Sequence, residues 1–153
     1  MQHLKSNQVA NLAMRLDSHE WSWRIDQLQD LLAAADLRPL EPLDRPTVSI
    51  EFPELPGVEG FVTNIPEESL VLQISISLTE FMDESDSASL AILDDLYLRH
   101  EDALVSIFGP PEKGPGKVAA WVRGDEILML RHLDFTLELA SESRSSRRIQ
   151  EGG

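Results

Sequence analysis

Apolar residues recur along this chain in two rhythms, one with a period near 3.6 and one with a period of 2, and the switches between them predict its elements. Between Asn7 and Leu16, Val9, Leu12, Ala13 and Leu16 stand at i, i+3, i+4 and i+7. That spacing lines one face of a helix and makes Ser6 its expected N-cap. From His19 to Ile25 the rhythm shortens, with Trp21, Trp23 and Ile25 alternating with Glu20, Ser22 and Arg24, as in a half-buried strand. Asp26 then reads as the cap of a second helix, with Gln29 completing a capping box. Leu28, Leu31, Leu32 and Ala35 keep helical phase up to Pro39.

Pro39, Pro42 and Pro46 make Leu37 to Pro46 an expected extended connector with no helix of its own. A strand over Thr47 to Phe52 follows, and Phe61 and Val62 open a short one before the turn at Asn64 to Glu68. From Leu70 to Phe81 the alternation is clearest: Leu70, Leu72, Ile74, Ile76 and Leu78 fall on one face, predicting an antiparallel sheet with one core face and one polar face. Leu90, Leu93, Tyr97, Leu104 and Ile107 carry one long helix to Phe108, where Gly109 and Pro110 stop it. After a loop over Pro110 to Gly116, strands are expected at Lys117 to Val122 and Glu126 to Arg131, joined at Gly124-Asp125, and at Leu133 to Leu139. Parallel βαβ units would need a helix between all strands, so this order predicts the α+β class. The expected architecture is an antiparallel sheet of about five to six strands packed against two N-terminal helices and one long central helix. A single domain is expected over residues 1–140, with a disordered Ser- and Arg-rich tail over residues 141–153.

Composition narrows the function classes. The 153 residues hold 13 Lys+Arg against 27 Asp+Glu, a net charge of −14. This argues against a general nucleic-acid binder, which needs clustered cations for phosphate contacts. The absence of cysteine excludes disulfides, thiolate metal sites and a Cys nucleophile. No apolar run approaches the ~18 residues of a membrane span or the start of a secreted chain, and a cytoplasmic location is expected. The negative charge is concentrated: residues 47–109 contain 13 acidic side chains and a single cation, Arg99. An imbalance of this size brings solubility or steers a cationic partner. The residues expected to face such a partner are Glu80, Asp83, Glu84 and Asp86 in a turn, and Asp94, Asp95, Glu101 and Asp102 on the long helix. Trp21 and Trp23 either pack in the core or form an aromatic platform, since tryptophan is enriched at interface hot spots.

Other chemistry fails on inspection. Gly109 and Gly114 have the spacing of a phosphate loop, but Pro115 follows Gly114 and Val118 follows Lys117, with a strand after them. His100-Glu101-Asp102 lies beside Asp94-Asp95 without the paired histidines of a zincin or the repeated Glu-x-x-His of a di-iron bundle. Asp95 and Arg99 fit a surface ion pair at i, i+4. No Gly-x-Ser-x-Gly elbow occurs, and Arg123-Gly124-Asp125 is read as turn chemistry. No metal, cofactor or catalytic residue is expected.

Trp21-Ser22-Trp23-x-Ile25-Asp26, the helix ending Leu104-Val105-Ser106-Ile107-Phe108-Gly109-Pro110-Pro111, and the strand pair around Trp121 together resemble a family of small, acidic, uncharacterised actinobacterial proteins, up to about Leu139. In outline the chain is also similar to immunity proteins of polymorphic toxin systems and to secretion-chaperone-like α+β domains. This resemblance implies binding rather than turnover. The expected function is an immunity protein that neutralises a cognate, basic toxin domain through the acidic face. The alternative is a secretion or assembly chaperone holding a protein client.

Overall fold

Helical periodicity decides three segments of the computed structural model, which describes residues 2–82 and 86–145. Helix α1 (Ser6–Ser18) buries Val9, Leu12, Ala13 and Leu16, α2 (Ile25–Ala34) buries Leu28, Leu31 and Leu32, and α3 (Ser87–Phe108) runs unbroken for 22 residues. Two caps differ from expectation. Lys5, not Ser6, precedes α1, and its N–H donates to Gln8 Oε1 at 2.8 Å. Ser6 is left to contact Nδ1 of the fully buried His100 at 2.9 Å. Arg24, not Asp26, precedes α2; Asp26 sits in the first turn, where its charge suits the positive helix end.

The strands are β1 (Arg38–Pro39), β2 (Thr47–Glu51), β3 (Glu59–Ile65), β4 (Leu70–Ser77), β5 (Glu112–Gly114), β6 (Val118–Arg123), β7 (Glu126–His132) and β8 (Leu137–Ser143). They form one eight-stranded sheet in the order β1-β2-β3-β4-β8-β7-β6-β5, antiparallel throughout. The class is α+β as expected, but with eight strands rather than five to six. The two extra strands are the edges, each two or three residues long, inside segments read as connector and loop. Pro39 is tolerated in β1 because an edge strand can spare a donor. Two four-stranded meanders therefore meet along a single seam, β4 against β8.

Three further expectations are corrected. The Trp21–Ile25 alternation is not a strand. Trp23 turns into left-handed backbone at φ 60°, and only Arg24 bridges to Leu70 before α2 begins at Ile25. In β4 the inward face changes phase: Asn64 pairs with Val71 while Thr63 pairs with Gln73, so Leu72 is an extra, bulged residue. Val71, Ile74, Ile76 and Leu78 are buried, whereas Leu70 and Leu72 are only half-buried. Finally, β8 continues through Ser143 with Ser141 and Ser143 buried, so residues 141–143 belong to the sheet rather than the tail. Residues 146–153 of the expected tail lie outside the described residues.

The core lies on the helix side of the sheet. Helix α1 contacts α3, β7 and β8, while α2 contacts β1 and β4. Across the register, Val48, Val62, Ile74, Ser141, Leu128 and Trp121 share one row and Ile50, Ile76, Leu139, Leu130 and Ala119 the next. The opposite face carries a smaller cluster of Ile127, Met129 and Ala140. Gly60 is required where β3 meets β4, because a Cβ there would stand 2.4 Å from the Ser75 carbonyl oxygen. Among the described residues no helix is long and apolar enough to cross a membrane.

Candidate functional site

At the C-terminal end of α1 the chain turns sharply, and the turn forms one wall of a cleft of roughly 560 Å³, within the range of ligand-binding pockets. Leu16, Asp17, His19, Glu20, Trp21 and Trp23 line this wall, and the β6–β7 hairpin from Val122 to Glu126 lines the other. Local contacts fix both walls. Gln27 Oε1 accepts from the backbone N–H and the hydroxyl of Ser22, each at 2.8 Å, and Val71 N–H donates to the Trp23 carbonyl at 2.8 Å. Trp23 is buried and Trp21 half-buried against it, ring centroids 4.7 Å apart. Opposite them, Gly124 takes φ 64° in the two-residue hairpin loop, a conformation glycine adopts without steric cost. The tip is tied down from behind: Asp125 Oδ1 accepts from the Ser145 N–H at 3.1 Å and hydroxyl at 2.7 Å, and the Arg144 N–H donates to its carbonyl at 2.7 Å.

Inside the cleft the charges are uneven. Asp17, close to the negative end of α1, is compensated by Arg123, whose Nε and Nη2 donate to its two carboxylate oxygens at 3.0 and 3.2 Å. The same guanidinium lies 5.0 Å from the centre of the Phe108 ring. Asp17 holds the Arg123 pKa up. Glu126 stands beside this pair in register with Arg123 and Ser143 on the core side of the sheet, 9% exposed. Burial, reinforced by the Asp17 carboxylate, pushes its carboxyl up to about 7, against the opposing effects of the Ser141 hydroxyl and Arg123. Near neutral pH Glu126 therefore exchanges a proton with solvent while lining a cleft with an aromatic wall. The exposed Glu20 completes the acidic side.

The residues expected from the sequence are distributed differently. Trp21 and Trp23 both line the cleft, Trp23 buried in the core and Trp21 half-buried and packed against it. The acidic residues of α3 are not part of this lining and are largely spent on local partners. Asp86 caps α3, accepting from the Ala88 and Ser89 N–H groups at 3.1 and 3.3 Å and from the Ser89 hydroxyl at 2.7 Å, bonds that hold its carboxyl below the usual range. Asp94 accepts from Lys117 Nζ at 2.9 Å and His132 Nε2 at 2.7 Å, which lower its pKa in that order. Asp95 pairs with Arg99 at 3.0 Å, as anticipated, and Glu101 pairs with Lys113. Glu101 also faces Tyr97, whose phenol is pushed up to about 12 by burial and then by that carboxylate. Glu80 Oε1 accepts from the Gln2 N–H at 3.1 Å, and Asp102 is exposed. Asp83 and Glu84 lie outside the described residues. No group of three or more His, Asp or Glu side chains suited to a metal ion occurs among the described residues.

Asp17, Glu20, Arg123 and Glu126 were not among the expected site residues. One signal was available: Glu126 precedes Leu128 and Leu130 at a spacing of two, so a carboxyl occupies the core phase of a strand. No local pattern links Asp17 with Arg123, which are 106 positions apart.

No curated protein and no solved structure matches the chain. A family model spans residues 7–143, covering both walls of the cleft, and by this match the chain belongs to DUF6301, a family of unknown function.

Proposed function

We propose that this protein is a non-enzymatic, cytoplasmic binding module of the immunity-protein kind, which neutralises a basic protein partner by admitting part of it into the cleft between the Trp21–Trp23 turn and the β6–β7 hairpin. The observation that carries this reading is the pairing of an aromatic wall with a buried, incompletely compensated carboxyl, Glu126, in one cavity. Aromatic anchors in desolvated pockets dominate most interfaces. The acidic residues of segment 47–109 act at longer range, accelerating encounter with a cation-rich surface.

The test is capture of partners from the source cell with the tagged full-length protein at low and high salt. A basic partner that is lost at high salt and on the Trp21→Ala change supports the reading; capture insensitive to Trp21 overturns the role of the cleft. Charge reversal at Asp83 and Glu84 slows association at low salt if these acids steer the encounter. A chaperone for an apolar client is the second reading, favoured by the exposure of Phe81, Leu98 and Ile92, at 74%, 60% and 46%. Salt-resistant capture that depends on those side chains selects it.

A further inference from the structure

We infer that the cleft is a receptor for the guanidinium group of an arginine side chain presented by the partner, with Trp21 supplying a ring face and Glu20 and Glu126 supplying the acceptor oxygens. This rests on the reading of the cleft as the binding site and adds what enters it. Three observations converge. The cleft already holds one guanidinium: Arg123 lies across Asp17 with two N–H···O bonds, so geometry suited to forked recognition of a planar cation is present in the chain itself. Asp17 is taken by Arg123, Asp125 by Ser145 and Glu126 Oε2 by the Ser141 hydroxyl, so the oxygens left to a visitor are those of Glu20 on the rim and Oε1 of Glu126 beside Asp17. A half-buried Trp21 backed by Trp23 at 4.7 Å gives a preformed surface on which a weakly hydrated cation stacks.

The proton inventory provides a signature. The titratable and charged groups facing Glu126 are Asp17 from α1 and Arg123 from β6, with the Ser141 hydroxyl from β8; His19, Glu20 and Asp125 complete the lining. Near pH 7 part of the population carries the proton on Glu126. Arrival of a guanidinium favours the carboxylate, and the proton leaves to the buffer. Binding therefore releases protons near pH 7 and tightens as pH rises from 6 to 8.

The experiment is calorimetric titration of the full-length protein with Nα-acetyl-arginine methylamide and with its uncharged citrulline analogue, in phosphate and in Tris. The arginine probe is expected to bind and the citrulline probe to bind about tenfold more weakly or not at all, because the latter lacks the charge that strengthens the bonds. The apparent enthalpy should differ between the two buffers in the sense of proton release. Glu126→Gln should abolish that buffer difference, and the exposed Glu20→Gln change, which leaves the core untouched, should weaken the arginine probe several-fold. Equal binding of both probes, absence of arginine binding, or a buffer difference that survives Glu126→Gln overturns the inference. A lysine probe binding as tightly as the arginine one also overturns it, in favour of a general cation site. Cleft-dependent capture of a protein partner alongside a failed arginine probe would sink this inference and leave the binding reading standing.

Discussion

On α3, Asp94, Asp95 and Glu101 each lie against a cation of the same chain and Asp86 closes the helix end, whereas at the cleft Glu126 is enclosed by the core with another carboxylate beside it. The first region contains more acids and the second more unrelieved electrostatic cost. An exposed, locally paired carboxylate such as Asp95 contributes little energy. A carboxyl held at about pKa 7 by burial weakens the fold whenever it is ionised, and perturbed groups of that kind cluster at functional sites. What separates the two regions is the local environment of each acid.

Ways to break this comparison can be ranked by expected effect. The largest is Trp23→Ala, which removes a buried ring from the cleft wall and should cost about 3–5 kcal/mol in chemical denaturation; a loss below ~1 kcal/mol would mean that the wall is not part of the core. Next is Glu126→Gln. The folded carboxyl titrates above its unfolded value, so its stability contribution is full below about pH 4.5 and is lost as pH rises through about 7. The variant should therefore gain on the wild type by ~2 kcal/mol between pH 5 and pH 8. A constant difference across that range would remove Glu126 from the list of costly acids. His100 runs the other way: burial, with His3 nearby, lowers its pKa to about 4, so its contribution is present above pH 6.5 and is lost towards pH 4. His100→Gln should flatten the acid limb of the stability curve if the variant folds. Asp86→Ala removes three capping bonds and should lower the thermal midpoint by a few degrees. Smallest is Asp95→Asn on the exposed Asp95–Arg99 pair, expected to change stability by ~0.3 kcal/mol; a loss above ~1 kcal/mol would show that the α3 surface acids are not interchangeable.

The helices and most of the sheet were legible because burial imposes one period over many residues, as in Val9 to Leu16 and Val48 to Phe52. The pattern failed where geometry changes within a single residue. The Leu72 bulge reverses the face of β4 after Leu70, and Trp23 at positive φ ends an alternation that would otherwise read as a strand. Edge strands β1 and β5 are too short for any periodicity to mark them. The cleft was legible only in part: its tryptophans and hairpin tip stand out in the chain, but Asp17 and Arg123 meet through tertiary structure alone. Charge counting pointed to the segment with most acids, and the structure pairs many of those locally.

The seam between the two meanders has a consequence for the timing of function. Each meander is assembled from neighbouring hairpins and so from short-range contacts, which form fast. The β4–β8 ladder joins the two meanders through residues some 70 positions apart, such as Gln73 and Glu142. One wall of the cleft belongs to the first third of the chain and the other to a hairpin in the second meander, with α1 reaching across onto β7 and β8. A chain still emerging from the ribosome, or one halted before Glu126, has the Trp21 turn but no opposing wall. The cleft is therefore complete only once the seam has closed, and a partner that enters it as proposed would bind only the fully assembled sheet.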